Sequence, residues 1–179
     1  KGSQTVFSGT CKDLYSNGKK KYEGFFKDGK KIKTWTEFYD DEQASSEANF
    51  KENQLAGKYT SWYPVGQVKE TGNCKENRRV GKWIEWDEYG KQKKEVEYET
   101  FTEKYDKTNI KVIGTLKEGK KYDQWIYYNT SGKREKIASY KNDILEGLYM
   151  EFYASGSRKL QTYYVNNIEN GNRTEWHEN

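Results

Sequence analysis

Residues 57–80 read GKYTSWYPVGQVKETGNCKENRRV, and the same arrangement restarts at Gly81 as GKWIEWDEYGKQKKEVEY. Stepping back 24 residues gives KTWTEFYDDEQASSEANFKENQLA from Lys33, and a further 24 gives GTCKDLYSNGKKKYEGFFKDGKKI from Gly9. Downstream the pattern begins again at Asp123 (DQWIYYNTSGKREKIASYKND), at Gly147 (GLYMEFYASGSRKLQTYYVNN) and at Gly171 (GNRTEWHEN). A fixed internal period of roughly 20–50 residues is the signature of a repeat architecture. Residues 9–179 therefore read as a single array of about seven copies, the last truncated, behind a flank of residues 1–8.

Each copy has an aromatic first segment, a short turn that usually carries Gly (Asn17-Gly18, Val65-Gly66, Tyr89-Gly90, Ser131-Gly132, Ser155-Gly156), and a second segment. The second segment ends in a small residue, a spacer and an aromatic, as in Gly24/Phe26, Ala48/Phe50, Ala138/Tyr140 and Thr162/Tyr164. Aromatic and β-branched runs between Gly, Asn and Asp turns predict β-hairpins. No run keeps helical periodicity before a turn interrupts it. The expected fold is all-β, an elongated single-layer antiparallel sheet of tandem 24-residue hairpins. With strands about 4.8 Å apart, such a sheet is a rod of roughly 60–75 Å.

A two-residue loop centred on Asn17-Gly18 and its equivalents sets the register. It places Trp35 opposite Ala48, Tyr59 opposite Gly72 and Trp125 opposite Ala138, with Gly9 facing Phe26 and Gly147 facing Tyr164. Large meets small at every rung, so rings can lie across the partner backbone. The alternative is a three-residue loop with a Gly bulge, which would shift the register by one and swap the faces.

From Gly81 to Asp123 is 42 residues, read as 24 + 18. The extra residues centre on 99–113 (ETFTEKYDKTNIKVI), an inserted extended hairpin that is either a tolerated surface insertion or a partner-contacting arm bearing Tyr105.

Only 32% of residues are hydrophobic and 34% are charged, yet 16% are aromatic. Aromatics each bury about 150–250 Å², so a thin aromatic core replaces an aliphatic one. Net charge is +4 with no dense basic block beyond Lys19-Lys20-Lys21, which argues against nucleic acid as a partner. No apolar run approaches the roughly 18 residues that span a bilayer. The chain starts at Lys1 without Met, the expectation being a processed or trimmed product, exported or at the surface of a bacterium. Cys11 and Cys74 fall two copies apart, about 20 Å in a hairpin sheet, so two free thiols are expected.

One face should carry Trp35, Tyr59, Trp83, Trp125 and Tyr149 with the closing aromatics. The other carries Leu14, Phe38, Trp62, Trp86, Tyr128, Phe152 and Trp176. Packing accounts for both rows. A continuous aromatic row is also a natural docking groove, which makes Phe38, Trp62, Trp86, Tyr128, Phe152, Trp176 and the inserted Tyr105 the candidate partner-binding residues.

No catalytic constellation accompanies them. His177 stands without an arranged nucleophile. Glu37, Glu85, Glu151 and Glu175 recur at the repeat period and read as strand-surface charge rather than an acid/base pair. Asp40-Asp41-Glu42 lacks the ligand spacing of a Ca²⁺ loop. Two cysteines and one histidine cannot make the usual four-ligand zinc site. No metal, cofactor or enzymatic activity is expected.

The stretch Tyr22-Glu23-Gly24-Phe25-Phe26-Lys27-Asp28-Gly29-Lys30-Lys31 resembles the Tyr-Glu-Gly-x-Phe/Trp-Lys-x-Gly-Lys core of MORN repeats. The spacing Gly-Lys-Trp/Tyr-x-x-aromatic-Tyr, then Gly, then a small residue and Tyr, is similar to the bacterial MORN variant. Lys33 and Asp123 depart from the leading Gly, Cys74 from the closing aromatic and Arg173 from the ring; the terminal departures fit atypical capping copies. The resemblance implies a protein–protein interaction scaffold, antitoxin-like or cell-surface. A second reading is a carbohydrate or cell-wall-binding aromatic module, and membrane-surface contact ranks below both.

Overall fold

A computed structural model describes residues 6–178; the first five residues of the flank and Asn179 lie outside the described residues. The chain divides between Glu97 and Tyr98 into two compact units. The first holds β1 (Gly9–Leu14), β2 (Lys20–Lys27), β3 (Lys30–Phe38), β4 (Ala44–Lys51), β5 (Gln54–Trp62), β6 (Val68–Lys75), β7 (Arg78–Trp86) and the start of β8 (Gln92–Lys104). The second holds the rest of β8 with β9 (Ile110–Lys117), β10 (Lys120–Tyr128), β11 (Arg134–Lys141), β12 (Ile144–Phe152), β13 (Arg158–Val165), β14 (Ile168–Glu169) and β15 (Thr174–Glu175). Within each unit the strands are antiparallel in hairpin order, β14 and β15 both pair with β13, and there is no helix among the described residues.

The rungs fall as the sequence indicates: Gly9 opposite Phe26, Trp35 opposite Ala48, Tyr59 opposite Gly72, Trp125 opposite Ala138 and Gly147 opposite Tyr164. The turn is different. Tyr15 N–H donates to Lys19 O at 2.8 Å and Gly18 N–H to Tyr15 O at 2.9 Å, so the loop is Ser16-Asn17-Gly18 with Gly18 at φ 81°. That is the three-residue loop with a Gly bulge. It does not swap the faces, because a second bulge follows: Leu14 pairs with Lys20 while Asp13 pairs with Tyr22, skipping Lys21. The two one-residue shifts cancel. Lys33 and Asp123, which replace the leading Gly, take φ 59° and 60°, so the bend there survives the change of residue.

The extra residues around 99–113 lie in β8 and β9 and repeat the common register. Phe101 faces Gly114, as Cys11 faces Gly24, and Tyr105 stands at the tip as Tyr15 does. The 42-residue interval thus counts as two 24-residue copies less six (48 − 6), with β8 running straight from one hairpin into the next.

Size complementarity between consecutive copies builds the core. A Cβ on Gly24, Gly72 or Gly114 would lie 2.2 Å from a ring carbon of Trp35, Trp83 or Trp125 respectively. The indoles therefore rest directly on the backbone of the preceding strand, exposed by 5%, 2% and 2%. Trp83 Nε1 donates to Asn73 O and Trp125 Nε1 to Thr115 O, both at 3.1 Å. A cation four residues earlier covers the outer face: Lys31 over Trp35 at 4.0 Å, Arg79 over Trp83 at 3.8 Å and Lys121 over Trp125 at 4.7 Å. Where the small residue is Ala48 or Ala138, the ring position is Tyr59 or Tyr149 and the covering position Leu55 or Leu145. At Thr162 they become Arg173 and Glu169, whose side chains pair at 3.1 Å while the Thr162 hydroxyl donates to Glu169. Small residue, ring and cover change together. Cys11 and Cys74 form no disulfide, and Cys74 is buried in the closing-aromatic row.

Gly72→Ala should destabilise the fold by about 1–3 kcal/mol through overpacking against Trp83. The double variant Gly72→Ala/Trp83→Tyr rebuilds the pairing native to Ala48 and Tyr59, and should recover a large part of that loss in urea titrations. Strictly additive single effects would contradict the pairing.

Candidate functional site

Phe38, Trp62 and Trp86 in the first unit, and Tyr128, Phe152 and Trp176 in the second, all stand half-buried, the first five just before a hairpin tip and Trp176 just after β15. Strand alternation puts them on the side opposite the indole seats. A tyrosine from the preceding tip fixes most of them by its hydroxyl. Tyr15 Oη donates to Phe38 O at 2.7 Å, Tyr39 Oη to Trp62 O at 2.6 Å and Tyr63 Oη to Trp86 O at 3.0 Å. In the second unit Tyr105 Oη donates to Tyr128 O at 3.0 Å and Tyr153 Oη to Trp176 O at 2.7 Å. Each bond crosses to the next copy, so these five ring carbonyls are held by the copy before them. Tyr105 thus stands as a donor in this ladder, 43% exposed, rather than as a member of the ring row.

The ladder skips Phe152, because the preceding tip residue is Asn129. Its Oδ1 accepts the backbone N–H groups of Ser131 and Lys133 and so closes its own turn. Asp87 does the same with Tyr89 and Lys91. At the tip of β8–β9, Asp106 accepts from the backbone N–H groups of Asn109 and Thr108, which holds its carboxyl below the usual carboxylate range. The tyrosine ladder has a sequence signal, the aromatic-Tyr pair at Phe38-Tyr39, Trp62-Tyr63 and Phe152-Tyr153, but only the register shows where the hydroxyl goes.

Cations cover some rings of the row: Lys20 Nζ lies 4.6 Å from the Phe38 ring and Arg158 5.9 Å from Trp176. The equivalents of Lys20 beside Trp62 and Trp86 are Ala44 and Val68, and a shallow groove of about 310 Å³ opens at Trp86, between Lys58, Thr60, Val68 and Thr71.

On the indole side of the second unit two cavities, about 330 and 310 Å³, meet at Tyr149, Glu151 and Lys159. Tyr149 Oη donates to Glu151 Oε1 at 2.8 Å, and Lys159 Nζ lies 3.3 Å from Glu151 Oε2. Burial first, and then donation to Glu151, push the Tyr149 phenol well above its ordinary range. The same bond, aided by Lys159, pulls Glu151 down. His177 lines the second cavity, and among the described residues no cluster of His, Cys, Asp or Glu could hold a metal ion. No helix of the structure is long and apolar enough to cross a membrane.

Residues 8–28 and 145–166 match the MORN repeat variant. The two matched stretches cover the β1–β2 and β12–β13 hairpins. No curated protein matches the chain. The likeness is to a repeat-based binding module, and the register extends the hairpin unit to the copies between the two matches.

Tyr39→Phe removes one rung of the ladder and should cost about 0.5–1.5 kcal/mol in denaturant unfolding. Tyr89→Phe, at an 86% exposed ring, should be neutral, and equal effects would contradict the ladder. The raised Tyr149 phenol contributes stability that is complete below about pH 10 and is lost as pH climbs towards its folded-state value. The depressed Glu151 has the opposite sign, its contribution being present above about pH 4.3 and lost on acidification. An alkaline titration followed by tyrosinate absorbance should show a late fraction that shrinks in Tyr149→Phe; an unchanged late fraction would assign the shift elsewhere.

Proposed function

We propose that this protein is a non-enzymatic interaction scaffold of the MORN type, and that its partner is another protein. The observation that carries the reading is the ring row with its tyrosine ladder. Half-exposed aromatics recur at one place in successive hairpins, and their backbone is held before any partner arrives. Preorganised aromatic anchors lose little conformational entropy on docking and are the residue class that dominates protein interfaces. Trp86, in the groove at Val68, and Trp62, paired with Val68, are the strongest anchors, neither having a covering cation among the described residues. An antitoxin-like role, in which the array neutralises a partner, and presentation of a partner at a bacterial cell surface both use such a face.

A second reading, carbohydrate or cell-wall binding, draws on the cavities around Tyr149. Tyrosine rings beside a Glu and Lys of balanced charge suit a neutral polyhydroxylated ligand. Affinity capture from the source cell, with the wild-type chain beside Trp62→Ser/Trp86→Ser, separates the two. The scaffold reading expects one stoichiometric protein partner that the double variant loses. Retention of the partner by the variant, or saturable quenching of tryptophan fluorescence by oligosaccharide with no protein captured, would overturn it.

A further inference from the structure

The second unit carries a sheet strip whose composition departs from the rest of the chain. On the ring-row side, Thr102 faces Ile113, Ile113 faces Ile126, Ile126 faces Ile137, Ile137 faces Met150 and Met150 faces Gln161. In the neighbouring row Thr100 faces Thr115, Gln124 faces Ser139 and Leu148 faces Tyr163. None of these side chains is charged at neutral pH, in a sequence that is 34% charged. The same ladder in the first unit reads Lys12, Glu23, Thr36, Glu47, Thr60, Thr71, Ile84, with charge at three of its first four positions. Ile137, Met150 and Thr115 are buried, while Ile113, Ile126 and Leu148 remain half-exposed around them and Tyr163 is 44% exposed.

Charge returns at the two rims and differs between them. Towards the tips stand Lys104, Arg134 and Arg158, opposite Ile110, Tyr128 and Phe152. Towards the other end Lys117, whose Nζ lies 4.7 Å from the Tyr122 ring, and Lys141 share the rim with Asp123 at the bend and with Glu146, which accepts the Asn166 N–H, so that rim is of mixed charge. The strip is thus an uncharged, apolar band with one cationic border.

We propose that this band is a docking surface for an amphipathic helix of a partner protein, with a stripe of apolar residues and carboxylates along one side. Neutral interface cores with a charged rim are the common anatomy of protein interfaces. The dimensions agree. Rungs about 4.8 Å apart match the axial step of roughly 5–6 Å between apolar residues at i, i+3/i+4 and i+7 of a helix lying across the strands. Arg134 and Arg158 lie two strands apart, about 10 Å, which is the rise between carboxylates seven residues apart on such a helix. A face-to-face second copy would bring cationic rims together or lay one against a balanced rim, so charge favours the acidic helix.

The probe is a synthetic helical peptide with a Leu stripe flanked on one side by Glu at heptad spacing, beside its isomer carrying Lys there. Fluorescence anisotropy should show the Glu peptide binding tighter by roughly tenfold or more, with the gap narrowing as salt rises. Arg134→Glu/Arg158→Glu should reverse the order. Gln124→Lys and Ser139→Lys place charge on half-exposed polar positions of the strip, spare the core, and should weaken both peptides; circular dichroism melts check that they fold. Equal affinity of the two peptides, or indifference to these variants, overturns the proposal. So does concentration-dependent self-association of the wild type that Gln124→Lys abolishes, which would make a second copy the occupant. These readouts do not involve Trp62 or Trp86, so failure here leaves the ring-row reading to its own test.

Discussion

The structure depends on one contact, a ring of one hairpin lying flat on a residue of the preceding hairpin that has almost no side chain. A sheet one layer thick has no second layer to bury its apolar surface, and the composition supplies few aliphatic residues. An indole seated on Gly72 or Gly114 is covered below by peptide backbone and above by a cation, and so reaches near-complete burial without another layer. Because the seat and the ring come from successive hairpins, the contact that makes the core also holds neighbouring copies together. Stability in such an array is a sum of nearest-neighbour terms.

The coupling explains which substitutions the array tolerates. Glycine accompanies tryptophan and a cation, alanine accompanies tyrosine and leucine, and Thr162 accompanies Arg173 and Glu169. The combined volume of seat and ring varies less than either part, as expected of a close-packed interior with nowhere to relax. The tyrosine ladder repeats this logic at the tips, where a hydroxyl from one copy satisfies a backbone carbonyl of the next. Asp87 and Asn129 break it by turning their side-chain oxygens back on their own loops, a local alternative open to short polar side chains.

The rungs could be read from the sequence because large and small residues alternate at fixed spacing, and Trp35 against Ala48 follows from that alone. The tip could not. The Asn17-Gly18 pair fits both a two-residue and a three-residue loop, and the compensating bulge at Lys21 leaves no mark in composition. Phe101 and Gly114 take the relation common to the other copies, yet β8 lacks the usual turn before them, so spacing counted from Gly81 runs six residues short of two 24-residue copies (48 − 42) and reads as an insertion. The ring row was legible as a period. The hydroxyls that fix it were not, because a bond from Tyr39 to the carbonyl of Trp62 appears only once neighbouring hairpins are in register. The uncharged strip was hidden for the same reason: Ile113, Ile126, Ile137 and Met150 are scattered in sequence and become neighbours only through pairing.

Proton NMR tests the seat most directly, because a proton held against the face of an indole is shifted far upfield by the ring current. The Hα resonances of Gly24, Gly72 and Gly114 should lie well upfield of ordinary glycine and show cross-relaxation with the indole protons of Trp35, Trp83 and Trp125, while the turn residue Gly18, with nothing near its Cβ direction, should not. Ordinary shifts at all of these glycines, without contacts to the indoles, would mean that the copies are joined by some other means.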